Sequence, residues 1–222
     1  MSTEYVDLAS PALNLFYDVN CAPLFHKDSC NYLNQLTAHE LPVLKSTSFF
    51  DAHMTKNHIV EPHWHPNTTE LVFVTHGEIV VSILNPFTKQ LLTYRLCDHQ
   101  AVYIPMGWWH WIIACSEHTH FITIFDDRCP QTVFGSDVLR ITPKEVFQLA
   151  YCVDARQLAH VLSPIQNTTI IGPACVNAQA GASGYGGYGH GAAQGVQWRI
   201  GNPPPQALDQ EQEQEQEQEL QR

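Results

Sequence analysis

An all-β domain, a double-sheet jelly roll or barrel carrying an N-terminal arm and short C-terminal helices, is predicted by three observations. From Val43 to Asp126 the chain reads as short apolar-rich runs, the length and composition of strands. Turn signals such as Gly77-Glu78 and Asn85-Pro86-Phe87-Thr88 separate those runs at hairpin spacing. Only after Phe125 does the period change to one that suits helices.

Residues 1–42 are weakly periodic, with Pro11, Pro23 and Pro42 interrupting the pattern. They read as an arm, with a short strand around Leu13 to Tyr17 and a helical turn near Ser29 to Leu36. The barrel strands are expected at 43–53, 59–65, 70–75, 78–84, 91–97, 101–104, 110–114 and 120–125. In Ile79-Val80-Val81-Ser82-Ile83-Leu84 apolar residues are nearly continuous, so this strand is expected to be covered on both faces, by a second subunit or by the arm. Thr142-Pro143-Lys144-Glu145 has the form of a capping box and predicts a helix from Pro143 to about Tyr151. Asp154-Ala155-Arg156-Gln157 repeats the device and predicts a second helix to Leu162. The barrel and its helices therefore occupy 43–172. Residues 173–222 change composition abruptly: a Gly, Ala and Tyr tract, a Pro203-Pro204-Pro205 spacer and alternating Gln and Glu. Such a segment buries too little apolar surface to offset chain entropy, so a disordered tail is expected. Tyr185 and Tyr188 between glycines also resemble the sticky low-complexity segments of coat and matrix proteins, which keeps an assembly role open.

Composition narrows the function classes. With 22 acidic against 11 Lys and Arg residues, the net charge of −11 argues against a nucleic-acid footprint, which needs a basic excess. No apolar run is long enough to span a bilayer, and the first residues lack the basic and apolar regions of a secretory signal, so a cytoplasmic location and no membrane partner are expected. The 7 cysteines are odd in number, scattered and without a CxxC pair, which predicts free and mostly buried thiols.

The chemistry lies in two segments. In an extended strand His63 and His65 share a face while Trp64 points away. After the turn from Pro66 to Thr69, Glu70 opens the next strand and can return its carboxylate to the two imidazoles. Imidazole plus carboxylate suits a divalent first-row metal. His110, after the turn set by Pro105 and Gly107, offers a fourth ligand. One histidine on a strand is ordinarily a packing or surface residue; the spacing of all four is what makes them a set. Glu61 also falls on the alternation of His63 and His65, either as a base or hydrogen-bond partner beside the ligands or as a solvent-facing strand end. Trp64, Trp108, Trp109 and Trp111 crowd the same region, as packing for the sheet or, with Val60, as the wall of an apolar pocket. The remaining histidines, His53 and His120 among them, match no ligand position and read as surface or packing residues.

These segments resemble the paired motifs of the cupin superfamily. His63, His65, Glu70 and Gly77 match the first motif, and Pro105, Gly107 and His110 the second. Asn57 and His99 stand where the family motifs begin with glycine, and Ala114 where the second ends with asparagine. The stretch from about 40 to 172 resembles single cupin domains of oxalate decarboxylase and germin type, closest to the lid-less half of a bicupin. That resemblance implies a double-stranded β-helix, a 3-His/1-Glu centre for a divalent metal, Mn(II) first with Fe(II) or Zn(II) as alternatives, a small-molecule ligand and homo-oligomers. It also implies what is missing for oxalate chemistry. The Arg that orients oxalate three residues ahead of the first His is Val60 here, which cannot make its forked contact. The lid that carries a Glu acid corresponds to residues 128–136, which contain no carboxylate. A metal-dependent enzyme (a decarboxylase, dioxygenase or isomerase acting on a small carboxylate or carbonyl compound) and a non-catalytic sensor, storage or coat protein both remain open.

Overall fold

The computed structural model describes residues 6–173; most of the expected tail, from residue 174, lies outside the described residues. The strands are β1 (Pro23–Asp28), β2 (Asn31–Leu36), β3 (Ser48–Met54), β4 (Ile59–Trp64), β5 (Glu70–His76), β6 (Ile79–Leu84), β7 (Leu91–Leu96), β8 (Ala101–Ile104), β9 (His110–Ala114), β10 (Thr119–Phe125), β11 (Val133–Phe134) and β12 (Ile171–Gly172). They form two antiparallel six-stranded sheets, one ordered β1-β2-β3-β10-β5-β8 and the other β11-β4-β9-β6-β7 with β12 beside β4. The helices α1 (Gly135–Ile141), α2 (Lys144–Tyr151) and α3 (Ala155–Leu162) follow the barrel strands.

The core lies between the sheets because each strand alternates. On β3, Ala52 and Met54 are buried while Asp51 and His53 face out; on β10, Phe121 and Phe125 are buried while His120 and Ile122 face out. Val72 and Val74 of β5, Ile79, Val81 and Ile83 of β6 and Ile112 of β9 complete the interior. On the other face of β6, Val80 and Ser82 are buried among cross-strand neighbours of their own sheet, Arg95, Thr93, Trp111 and Ile113. Both faces of that strand are therefore buried within the single chain.

Several expectations for the ends are corrected. Residues 31–36 are a strand, not a helical turn, and 13–17 form no strand; β2 pairs with β3 and β1 with β2, which extends one sheet. Local propensity around Asn31 lost to the hydrogen-bonding edge that β3 offers. Thr142 does not cap α2: its hydroxyl donates back to the Val138 carbonyl at 2.6 Å and closes α1, a helix the sequence did not announce. Asp154 does cap α3, accepting from the Gln157 amide at 2.8 Å. The described cysteines are free but not buried, with Cys21, Cys30, Cys97 and Cys152 exposed.

The departures at motif glycines cost the fold no change of path. Asn57 and His99 adopt φ of 67° and 64°, the left-handed conformation that glycine takes without penalty. Gly77 is retained where no substitute fits. Its φ is +88°, and a Cβ there would stand 2.4 Å from the His118 carbonyl oxygen. Urea denaturation should therefore show opposite signs: Gly77→Ala destabilises by more than about 1 kcal/mol, and His99→Gly stabilises by about 1 kcal/mol.

Candidate metal centre

His63 and His110 are directly paired across β4 and β9, while Glu70 sits at the start of β5 in the opposite sheet. His65 follows β4 by one residue. Register between sheets thus brings together His63, His65, Glu70 and His110, with ligand atoms all within 4.8 Å of one another and every residue buried. The turn before Glu70 is fixed by Asp126, which accepts from the Thr68 hydroxyl at 2.6 Å and the Thr69 amide at 2.8 Å.

The imidazoles are oriented by one repeated device. The Nδ1–H of His63 donates to the Glu61 carbonyl at 2.7 Å, that of His65 to the Gln131 carbonyl at 2.8 Å, and that of His110 to the Trp108 carbonyl at 2.8 Å. A carbonyl only accepts, so each ring carries a proton on Nδ1, and it is Nε2 that offers a lone pair to an ion when the ring is neutral. The Nε2 atoms of His65 and His110 lie 3.2 and 2.8 Å from Glu70 Oε2. These contacts are close but lack hydrogen-bond geometry, so His65 Nε2, His110 Nε2 and Glu70 Oε2 are buried without a hydrogen-bond partner. Three orphaned donor atoms converging on one point are costly unless something else satisfies them. The donor set fits a divalent ion.

Charge follows the same logic. Burial works against the Glu70 carboxylate, but His110 and His65 beside it outweigh burial and hold its pKa well below the usual range. Burial, with His110 as neighbour, holds His63 well below an ordinary imidazole. For His65 burial pushes down, and the Glu70 contact outweighs it to raise the pKa. Glu70 ionised and His63 neutral are the forms that ligate.

An interior cavity of about 210 Å³ opens on three of the four residues, His63, His65 and Glu70. Val60 lines it, but Trp64, Trp108 and Trp109 do not; the apolar wall comes instead from Phe50, Phe125 and Phe134. Trp64 and Trp109 lie against each other, ring centres 5.5 Å apart. Their positions alternate with the buried histidines, which sends them away from the interior.

Glu61 does not share the ligands' face. The β4–β9 pairing shifts register between Val60 and His63, as a bulge at Pro62 would require, since proline has no N–H to pair. The shift lets Val60 and His63 both face inward and turns Glu61 elsewhere. Its buried carboxylate accepts from the Ser136 amide and hydroxyl, both at 2.7 Å, and from the amides of Thr169 at 3.0 Å and Ile170 at 2.9 Å. Its contribution to the site is its backbone carbonyl. Gln131 was missed for the same reason: a carbonyl contact leaves no trace in residue type.

The family described as Cupin matches residues 26–159. The chain belongs to the cupin family. Among curated relatives, this cupin is 26% identical to a cruciferin of Brassica napus over 73% of its own length and 33% of the relative's. It is 24% identical to the 12S seed storage protein CRB of Arabidopsis thaliana, over 65% and 33%. The cupin chain thus spans about a third of the length of these relatives. Among solved structures, Bacillus subtilis oxalate decarboxylase at pH 4.6 superposes with a TM-score of 0.63 at 23% identity, covering 70% of this cupin and 40% of that chain. A second structure of that enzyme, concerned with its Mn(II) centres, gives 0.65 at 22%, over 77% and 44%. Procruciferin, the 11S globulin of Brassica napus, gives 0.64 at 23%, over 70% and 41%. At these identities the structural likeness shows the shared fold. Among the described residues no helix is long and apolar enough to cross a membrane.

Replacing Glu61 tests the clamp. Glu61→Ala strands the buried amide and hydroxyl of Ser136 and the half-buried amides of Thr169 and Ile170, and should lower the stability by about 3 kcal/mol in urea denaturation, with Glu61→Gln falling between it and the parent.

Proposed function

We propose that this cupin holds one divalent metal on His63, His65, Glu70 and His110 and binds a small organic ligand in the cavity beside it. The convergence of the buried Nε2 atoms of His65 and His110, which lack hydrogen-bond partners, on Glu70 Oε2 carries the reading. Mn(II) is favoured by the likeness to oxalate decarboxylase and its Mn(II) centres, with Fe(II) and Zn(II) as alternatives. A divalent ion held there supplies Lewis acidity to a coordinated oxygen.

The ligand is a neutral molecule or a monoanion rather than oxalate. Val60 occupies the wall position, and neither Lys nor Arg lines the cavity among the described residues. A dianion would meet there only the net single positive charge left by a divalent ion and Glu70, with no Lys or Arg to complete its neutralisation. Cys129, Pro130, Thr132 and Phe134 close the cavity's side, on a segment tied down where Asn67 accepts from the Gln131 amide at 2.8 Å and His65 donates to the Gln131 carbonyl. That segment offers no carboxylate to serve as a proton donor, a contribution typically worth about 100-fold or more in rate. The volume lies below the roughly 300 Å³ at which drug-sized ligands begin to fit, which also points to a small molecule.

A second reading, a storage or matrix protein whose metal stabilises the barrel, is favoured by the likeness to seed storage proteins. Both readings include homo-oligomers, for which the exposed Leu149 and Val161 of α2 and α3 supply apolar surface.

Metal analysis by mass spectrometry, on protein purified without a histidine tag, should find about one equivalent of Mn or Fe that disappears in the His63→Ala, His110→Ala double variant. Unchanged metal content in that variant would sink the four-ligand reading. With the metal present, turnover of small monocarboxylates or carbonyl compounds, with or without oxygen, supports the enzyme; a higher melting temperature without turnover supports the storage protein. Oxalate should be consumed at no more than background rate.

A further inference from the structure

The outer face of the first sheet carries a second group that can hold a metal ion. Asp51 and His53 point out from β3, and His120 points out from β10 directly opposite His53. Both imidazoles reach the same carboxylate: His120 Nε2 lies 2.5 Å from Asp51 Oδ1, and His53 Nε2 lies 3.3 Å from Asp51 Oδ2. The two rings stack at 4.2 Å with an angle of 11°, and Tyr32 of β2 stacks on the far side of His53 at 4.7 Å. Strand register and stacking therefore orient two nitrogens towards one carboxylate before anything binds.

We propose that Asp51, His53 and His120 form a surface site for a borderline divalent ion, Zn(II) or Cu(II), on the opposite face of the sheet from the buried set. The ligand chemistry decides the class of ion. Two imidazoles and a carboxylate favour Zn(II) and Cu(II) over Mg(II) or Ca(II), which prefer all-oxygen surroundings. Metal–ligand bonds of about 2.0–2.2 Å place ligand atoms roughly 3–4 Å apart around an ion. His53 and Asp51 already stand at that separation, and the three ligand atoms lie within 4.8 Å of one another. His120 and Asp51 need to open slightly, which the partly exposed Asp51 can do by rotating its carboxylate. Two histidines placed directly opposite each other on paired strands repel when both are protonated. An ion that takes a lone pair from each turns that opposition into a chelate. Three protein ligands leave positions open to water, and both imidazoles line a surface depression shared with Cys30, Tyr32, His76 and His118.

Zinc binding to the full-length protein, read by equilibrium dialysis, tests the site. The His53→Asn, His120→Asn double variant should bind about one equivalent less Zn(II) than its parent. The same loss should appear in the His63→Ala, His110→Ala background, which separates this site from the buried one. Asp51→Asn should weaken the affected equivalent about tenfold or more. Equal zinc uptake with and without His53 and His120, in either background, would overturn the proposal. A measurement on the unaltered chain guards against variants that fail to fold: Zn(II) should protect His53 and His120 from acylation by diethylpyrocarbonate, mapped by peptide mass. Modification of both at the same rate with and without Zn(II) would equally overturn it.

Discussion

The shift of register at Glu61–Pro62 is the constraint on which the rest of the structure depends. Strict alternation along β4 would place Glu61 with His63 and His65 and send Val60 outward. The shift between Val60 and His63 instead puts Val60 and both histidines on the interior side and leaves the Glu61 carboxylate free to gather Ser136, Thr169 and Ile170. One local irregularity so fixes the cavity wall, the position of the first ligand and the anchorage of the segment after the barrel. It also places the Glu61 carbonyl against His63 Nδ1, which selects the ring's tautomer.

Burial makes the four-residue set unfavourable for stability and favourable for an ion. Three imidazoles and a carboxylate have been taken out of water, and their inner atoms meet without hydrogen-bond geometry while their outer nitrogens are satisfied by carbonyls. A set selected for stability alone would close on itself, since unsatisfied buried polar atoms are costly. The neighbouring aromatic rings, Phe125 against His65 at 4.9 Å and Phe134 against His63 at 5.8 Å, hold the imidazoles in place and keep the surroundings apolar. The sheet that contributes Glu70 carries a second His and Asp group on its outer face, where solvent shares the cost of charge. The space between the sheets and the outer surface of one of them thus present related donors in very different dielectric surroundings.

Much of the barrel was legible in the sequence. Alternation and turn residues located β4 to β10 to within a residue or two, because strands with one buried face must alternate. Asn57 and His99 departed from glycine in identity and kept its backbone conformation, so the motif spacing outlasted the motif residues. The arm was misread, because nothing local distinguishes Asn31 to Leu36 from a turn until β3 offers an edge to pair with. Of the two readings for the tryptophans the pocket one does not hold, and Glu61 was misplaced on the ligands' face, for another reason. Proximity in sequence to His63 and His110 says nothing about which side of the sheet a residue faces once the register has shifted.

By itself, the sequence determined the all-β class, the family and the four potential ligands, since residue type at fixed spacing is a property of the chain. Tertiary structure alone decided which lone pairs face one another, which carbonyl holds each imidazole, and that phenylalanines wall the cavity where tryptophans were expected. It also decided that His53 and His120, which match no motif, meet Asp51 across two strands. Those facts depend on register and on pairing between residues far apart in the chain, and a one-residue slip would reverse them without altering any motif.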